Sequence, residues 1–235
     1  MKQKGELFGW DTEFYTGYII SIIEIEDNSI ILVGDGGFMG VFNLDKMEQT
    51  LILPPQFDGN RAHSITKIIN STFAVGTDKE VYMIDISKKD SKPTIMLKGK
   101  YVRSVKLINN GNILCGTWSG EYYLLDIGRK EEKKLATGKR QAVLNMCLLS
   151  SNDAKYNNLA LTLESSTVNI LNMDTASIIK IADVTIKWLS TDSQMQITKS
   201  SNEENFSFVF VSGQNGREIT AFTVRRELAD LCLSR

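Results

Sequence analysis

The sequence predicts an all-β fold built from repeated four-stranded antiparallel units. Three observations carry this. Short apolar runs recur along the chain, separated by Gly, Asn and Asp turn signals. An acidic or polar residue ends the third strand of each unit at Asp45, Asp85, Asp126, Asn172 and Thr223, spaced 40, 41, 46 and 51 residues apart. A second landmark, Gly59, Gly99 and Gly138, precedes the first strands of units two to four with spacings of 40 and 39.

The clearest unit is Asn112 to Asp126, where Ile113 and Leu114 open a strand, Gly116 to Gly120 turn the chain, and Tyr122 to Leu125 return it. The first unit predicts strands at 18–26, 29–33, 38–45 and 50–53, with a Gly-rich turn at Gly34-Asp-Gly-Gly. The second predicts strands at 65–69, 72–75, 81–85 and 93–97. The third adds 101–108 before its central hairpin and a short strand near Lys134 after it. The fourth predicts 142–149, 158–163, 167–171 and 177–181. The fifth predicts 185–189, 206–211 and 219–224, with Gly213 to Gly216 as a turn. Polar insertions at 150–157 and 190–205 absorb the longer spacings. Arg225 onward reads as a short amphipathic helix with Leu228, Leu231 and Cys232 on one face.

Four-stranded units of about 40 residues have the period of propeller blades. The pattern of Gly, then strand, Gly-x-x-x-Gly, strand and Asp resembles the WD-repeat β-propellers over residues 18–224. The family's Trp-Asp dipeptide becomes Leu44-Asp45, Ile84-Asp85, Leu125-Asp126, Leu171-Asn172 and Phe222-Thr223. Its Gly-His becomes Gly59-Asn60, Gly99-Lys100 and Gly138-Lys139. The turn aspartate is kept as Asp78 and is replaced by Ser119 and Asn215 in units three and five. The resemblance therefore implies blades held by packing more than by the family's hydrogen-bonded tetrad. Five blades are visible. Either the ring closes at five, or the chain belongs to a longer propeller, or a partner chain completes the ring. Residues 1–17 form an N-terminal segment in which Glu6 to Phe14 offers a ring-closing strand, and residues 225–235 form the tail.

Bulk properties narrow the function classes. The chain has 235 residues, 42% of them hydrophobic, enough for a substantial core. Its formal net charge of -1 gives no global pull toward nucleic acid or an anionic membrane. No apolar run approaches the roughly 18 residues of a membrane span. The N-terminal stretch lacks the apolar core of a secretory signal. Cys115, Cys147 and Cys232 are odd in number and widely spaced, which fits buried free thiols in a reducing compartment. The expectation is an intracellular, cytoplasmic chain.

Catalytic constellations are hard to assemble from this inventory. His63 is the single histidine, and it reads as a hydrogen-bonded loop residue just before a first strand. The four Cys and His residues are too scattered for zinc. Gly34 to Gly40 fits neither dinucleotide nor P-loop spacing. Asp45, Asp85 and Asp126 read as strand-end turn residues, and the first strands are apolar apart from Glu24, Lys67, Lys106, Asn145 and Lys187. No enzyme, metal or cofactor is expected.

Interaction features say more. In a propeller of this type, the loops before the first strands and the turns between second and third strands share one face. That face carries Arg61, His63, Lys79, Lys98, Lys100, Tyr101, Arg103, Lys139 and Arg140, against few acids: Asp35, Asp78 and Glu80. Trp118 sits at the tip of the third unit's hairpin, and a Trp beside Arg and Tyr is the residue mix of interface hot spots. Arg61, Lys100, Tyr101, Arg103, Trp118, Lys139 and Arg140 are thus the candidate partner-binding residues. The leading expectation is a non-catalytic protein–protein interaction scaffold, a module or subunit of a larger assembly, that meets an acidic surface or peptide. The alternative is an RNA- or phosphate-binding propeller acting through the same basic face.

Overall fold

The computed structural model describes residues 18–26, 28–46, 48–53, 57, 59–87, 92–108, 111–138, 140–149, 154–183, 195–198, 205–212 and 218–234. The described chain forms five antiparallel sheets, two short 3-10 turns and one α-helix. The first sheet holds β1 (Ile19–Ile25), β2 (Ser29–Gly34), β3 (Met39–Asn43) and β4 (Glu48–Leu53) in sequence order. The second holds β5 (Ala62–Ile69), β6 (Thr72–Thr77), β7 (Glu80–Asp85) and β8 (Thr94–Lys98). The third holds β9 (Val102–Leu107), β10 (Ile113–Thr117), β11 (Glu121–Asp126) and β12 (Glu131–Thr137). The fourth holds β13 (Val143–Leu148), β14 (Leu159–Glu164), β15 (Thr167–Asn172) and β16 (Ser177–Asp183). The fifth holds β17 (Met195–Thr198), β18 (Asn205–Ser212) and β19 (Glu218–Arg225), followed by α1 (Arg226–Leu233).

Consecutive sheets stack face to face. β1 lies against β5, β5 against β9, β9 against β13, and β13 against β17. Side chains that alternate along each strand feed two different cores. In the second sheet, Phe73, Val75 and Ile84 pack with Ile31, Val33 and Met39 of the first. Ala74, Val81 and Leu97 pack the other way, with Val102, Val105 and Ile113 of the third. Leu114 and Tyr122 then meet Val143, Met146 and Leu171. Burial on both faces explains why β14 and β15 are buried at every position. Close approach of sheets also explains Gly116, where an added Cβ would lie 2.8 Å from Cβ of Val143.

Asp85, Asp126 and Asn172 cap turns, as the sequence reading expects, whereas Thr223, read as the matching strand end, lies inside β19 opposite Ser207. Asp85 Oδ1 accepts the Ser87 N–H at 2.9 Å, Asp126 Oδ1 accepts the Arg129 N–H at 2.8 Å, and Asn172 Oδ1 accepts the Asp174 N–H at 2.9 Å. Cys115, Cys147 and Cys232 are buried, and none of them forms a disulfide.

Two expectations need correction. Residues 195–198, read as part of a polar insertion, form a strand paired to β18, from Met195 opposite Phe210 to Thr198 opposite Ser207. The expected first strand at 185–189 lies outside the described residues, as do Glu6 to Phe14 and the turn at Gly213 to Gly216. In α1, Cys232 and Ala229 are buried against the fourth sheet with Leu228 partly buried, but Leu231 is 43% exposed. With 3.6 residues per turn, Leu228, Ala229 and Cys232 share one side of the helix and Leu231 falls outside it.

Candidate functional site

The site grows from the register of two neighbouring sheets. Because β5 and β6 are antiparallel, Ala62 stands opposite Thr77, so the entry to β5 lies beside the β6–β7 turn. The Asp78 N–H donates to the Arg61 carbonyl at 3.2 Å. In the third sheet Val102 stands opposite Thr117, and the Trp118 N–H donates to the Tyr101 carbonyl at 2.9 Å. Stacking of β5 on β9 then brings the two rims together.

His63 is the hinge of this meeting. It lies within β5 and is buried, not in a loop as its position suggested. Its Nε2 is 2.6 Å from Asp78 Oδ1, and its Nδ1 is 3.3 Å from Arg103 Nη1. A carboxylate only accepts and a guanidinium only donates. The ring is therefore the neutral Nε2–H tautomer, donating to Asp78 and accepting from Arg103. Burial pulls its pKa down to about 4; the Asp78 bond opposes this, and the Arg103 charge reinforces it.

An aromatic column rises from His63. Tyr101 stacks on it with ring centroids 4.9 Å apart, and Trp118 stacks on Tyr101 at 5.3 Å and 17°. The guanidinium carbon of Arg103 lies 5.3 Å from the Trp118 ring centroid, within cation–π range. Burial raises the Tyr101 pKa, against the pull of the Arg103 guanidinium. Trp118 ends the column with 44% of its surface exposed.

The sequence reading placed Arg103 on the exposed rim. It is only 4% exposed, because the third sheet is covered on both faces and Arg103 lies under the aromatic column. Arg61 is exposed and forms an ion pair with Asp35, whose other oxygen accepts the Tyr18 N–H at 3.2 Å. Lys100 reaches Glu121 Oε2 at 3.3 Å. Glu121 also takes Lys134 Nζ at 2.5 Å and the hydroxyls of Ser119 and Tyr123, each at 3.2 Å. The two lysines, led by the Lys134 bond, hold its carboxyl at about 2 against the opposing effect of burial. Arg140 is exposed beside the same turn, its Cα 3.2 Å from where a Cβ on Gly120 would stand. Lys79 is exposed, and its carbonyl accepts the Lys100 N–H at 2.7 Å. Lys139 lies outside the described residues.

The structure thus brings Arg61, Tyr101, Arg103 and Trp118 into one cluster with Lys100 and Arg140 beside it, while neutralising Arg61 and Lys100 internally. Sequence reasoning missed the His63–Arg103 bond; its signal was the separation of the two residues by one repeat.

Of the first-strand polar residues, Lys67 pairs with Glu26 at 2.8 Å. Lys106 is half-buried beside Cys147, and burial lowers its pKa. Lys187 lies outside the described residues. Among the described residues no three His, Cys, Asp or Glu side chains gather as metal ligands, and no helix is long and apolar enough to cross a membrane. Compared with protein families and with curated proteins, the sequence matches none.

Proposed function

We propose that this chain is a WD-repeat-like β-propeller module that serves as a non-catalytic docking scaffold for other proteins, using the rim around Trp118. The observation that carries the docking site is the exposed Trp118 indole, held in place from below by Tyr101 and Arg103. A large side chain fixed before binding loses little freedom when a partner covers it. Trp, Tyr and Arg are also the residues that dominate interface energetics.

The propeller reading is supported by four successive four-stranded sheets whose first strands lie side by side. The His63–Asp78 bond supports the kinship, since it joins a residue near the Gly-His position to the turn aspartate. The fifth sheet has three described strands, and in this reading a further strand, from elsewhere in the chain or from a partner chain, completes it. The RNA- or phosphate-binding alternative has less support, because Asp35 and Glu121 neutralise Arg61 and Lys100 and His63 is uncharged.

Quantitative affinity capture from cell extract tests the reading. The comparison is between the wild-type chain and Trp118→Ala/Arg140→Ala, two exposed positions whose loss leaves the fold intact. Specific proteins depleted from the double variant support rim docking, and unchanged recovery removes it.

A further inference from the structure

Lys79 and Arg140 stand on either side of Trp118 along the rim. The Lys79 carbonyl accepts the Lys100 N–H at 2.7 Å, and the carbonyl of the next residue, Tyr101, accepts the Trp118 N–H at 2.9 Å. Beyond Trp118 the hairpin turns at Gly120, where an added Cβ would lie 3.2 Å from Cα of Arg140. Successive loops are thus laced together, presenting an exposed cation, the exposed indole and a second exposed cation in that order. The other charges of the rim are answered from within. Arg61 pairs with Asp35, and Glu121 takes both Lys100 and Lys134. Asp78 holds His63, and the Tyr101 hydroxyl interacts with both Asp78 and Arg103. Lys98 stands opposite Glu80 across β7 and β8. Among the described residues, the side chains of Lys79 and Arg140 enter no hydrogen bond or ion pair. The column under Trp118 is complete in itself, and it offers outward one apolar surface between two uncompensated positive charges.

We propose that the rim receives an acidic peptide segment of a partner with an apolar residue at its centre: the apolar side chain lies on Trp118, and carboxylates on either side of it pair with Lys79 and Arg140. This names the partner chemistry of the docking site and rests on that reading. Nothing in the column has to move, because the indole is already exposed where it stands. Exposed ion pairs are individually weak, so the two cations select and orient the segment while the indole supplies the larger contact. A single strand of nucleic acid also stacks on an indole, but it carries a charge at every nucleotide and is held by a dense track of cations. Most cations of this rim are already spent on its own carboxylates.

The test is a nitrogen–proton NMR titration of the full chain, read at the Trp118 indole N–H and assigned by its loss in Trp118→Phe. The probes, at millimolar concentration, are acetylated and amidated Glu-Glu-Leu-Glu-Glu, the same peptide with glycine at its centre, Lys-Lys-Leu-Lys-Lys, and a short oligouridylate. The leucine-centred glutamate peptide is expected to move the resonance to saturation, and the glycine-centred one to bind about threefold or more weakly. Lys79→Gln and Arg140→Asn are each expected to weaken the glutamate peptide by about two- to fivefold. Asparagine is chosen because it tolerates the left-handed backbone of position 140, where φ is 57°. Arg129→Gln, beyond the far end of β11, is expected to leave the affinity unchanged. An unmoved resonance, equal affinity for the glycine-centred peptide, unchanged affinity in either variant, equal binding of the lysine peptide, or oligouridylate bound more tightly than the glutamate peptide would each overturn the proposal. If the glutamate peptide fails while a protein is still captured through Trp118 and Arg140, the acidic segment falls and docking stands. If capture fails too, both fall.

Discussion

His63 and Arg103 are 40 positions apart in the sequence and meet at 3.3 Å across neighbouring sheets. The same interval recurs. Tyr122 meets Thr162 at 40 positions and Glu164 at 42, and the Val105 N–H reaches Ser64 Oγ at 41. The sequence period is therefore the step from one sheet to the next. Each repeat places its own residues beside the matching residues of its neighbour. Polar pairs can then bridge sheets without any local sequence contact.

His63 makes stability depend on pH. Its folded pKa lies near 4 and its unfolded value near 6.5, so the unfolded chain takes up a proton that the folded chain refuses. The contribution is complete above pH 6.5 and is lost as pH falls from 6.5 to 4. Its size is on the order of 3 kcal/mol. Urea unfolding at pH 7.5 and 4.5 should show the wild-type chain losing more stability than His63→Gln. Equal losses would contradict the buried neutral tautomer.

Gly116 should tolerate no side chain. Gly116→Ala drives a methyl group into Val143 and Met146 where the third and fourth sheets meet, at a cost of about 1–3 kcal/mol. Gly128→Ala, whose Cβ meets only Asp126 Oδ1 at 3.5 Å, should change stability by less than about 0.5 kcal/mol. Chemical denaturation of the two variants side by side measures the difference.

Tyr122 bridges those sheets by polar contact as well. Its hydroxyl lies 2.8 Å from Oε1 of Glu164, a carboxylate that is fully buried. Tyr122→Phe keeps the ring and strips that oxygen of its partner, which should cost about 1–3 kcal/mol in urea unfolding. A neutral outcome would mean that Glu164 draws its stabilisation from Thr167, 3.4 Å from its other oxygen.

Strands, turns and repeat were legible because alternation, Gly turns and strand-end acids leave local signals. The burial of Arg103 was not. Its neighbours Val102, Ser104 and Val105 are also buried, so no alternation marks an inner side. A charged residue near a loop reads as exposed until the neighbouring sheet is known to cover it. Met195 to Thr198 was missed because four residues inside a polar stretch carry too little pattern. Trp118 was legible as exposed because hairpin tips are hard to cover. Its column through Tyr101 to His63 was not, since that depends on the packing of one sheet on the next.

The central claim is that partners dock on the rim around Trp118. Site-specific photo-crosslinking in living cells tests it most directly, with the photoreactive side chain placed at Arg140 on that rim and, separately, at Arg129 near the far end of the same sheet. The account predicts a discrete protein crosslinked from position 140 and lost when Trp118→Ala is added, while the thermal unfolding of the chain is little changed. Crosslinking from position 129 alone, or from position 140 regardless of Trp118, would contradict it.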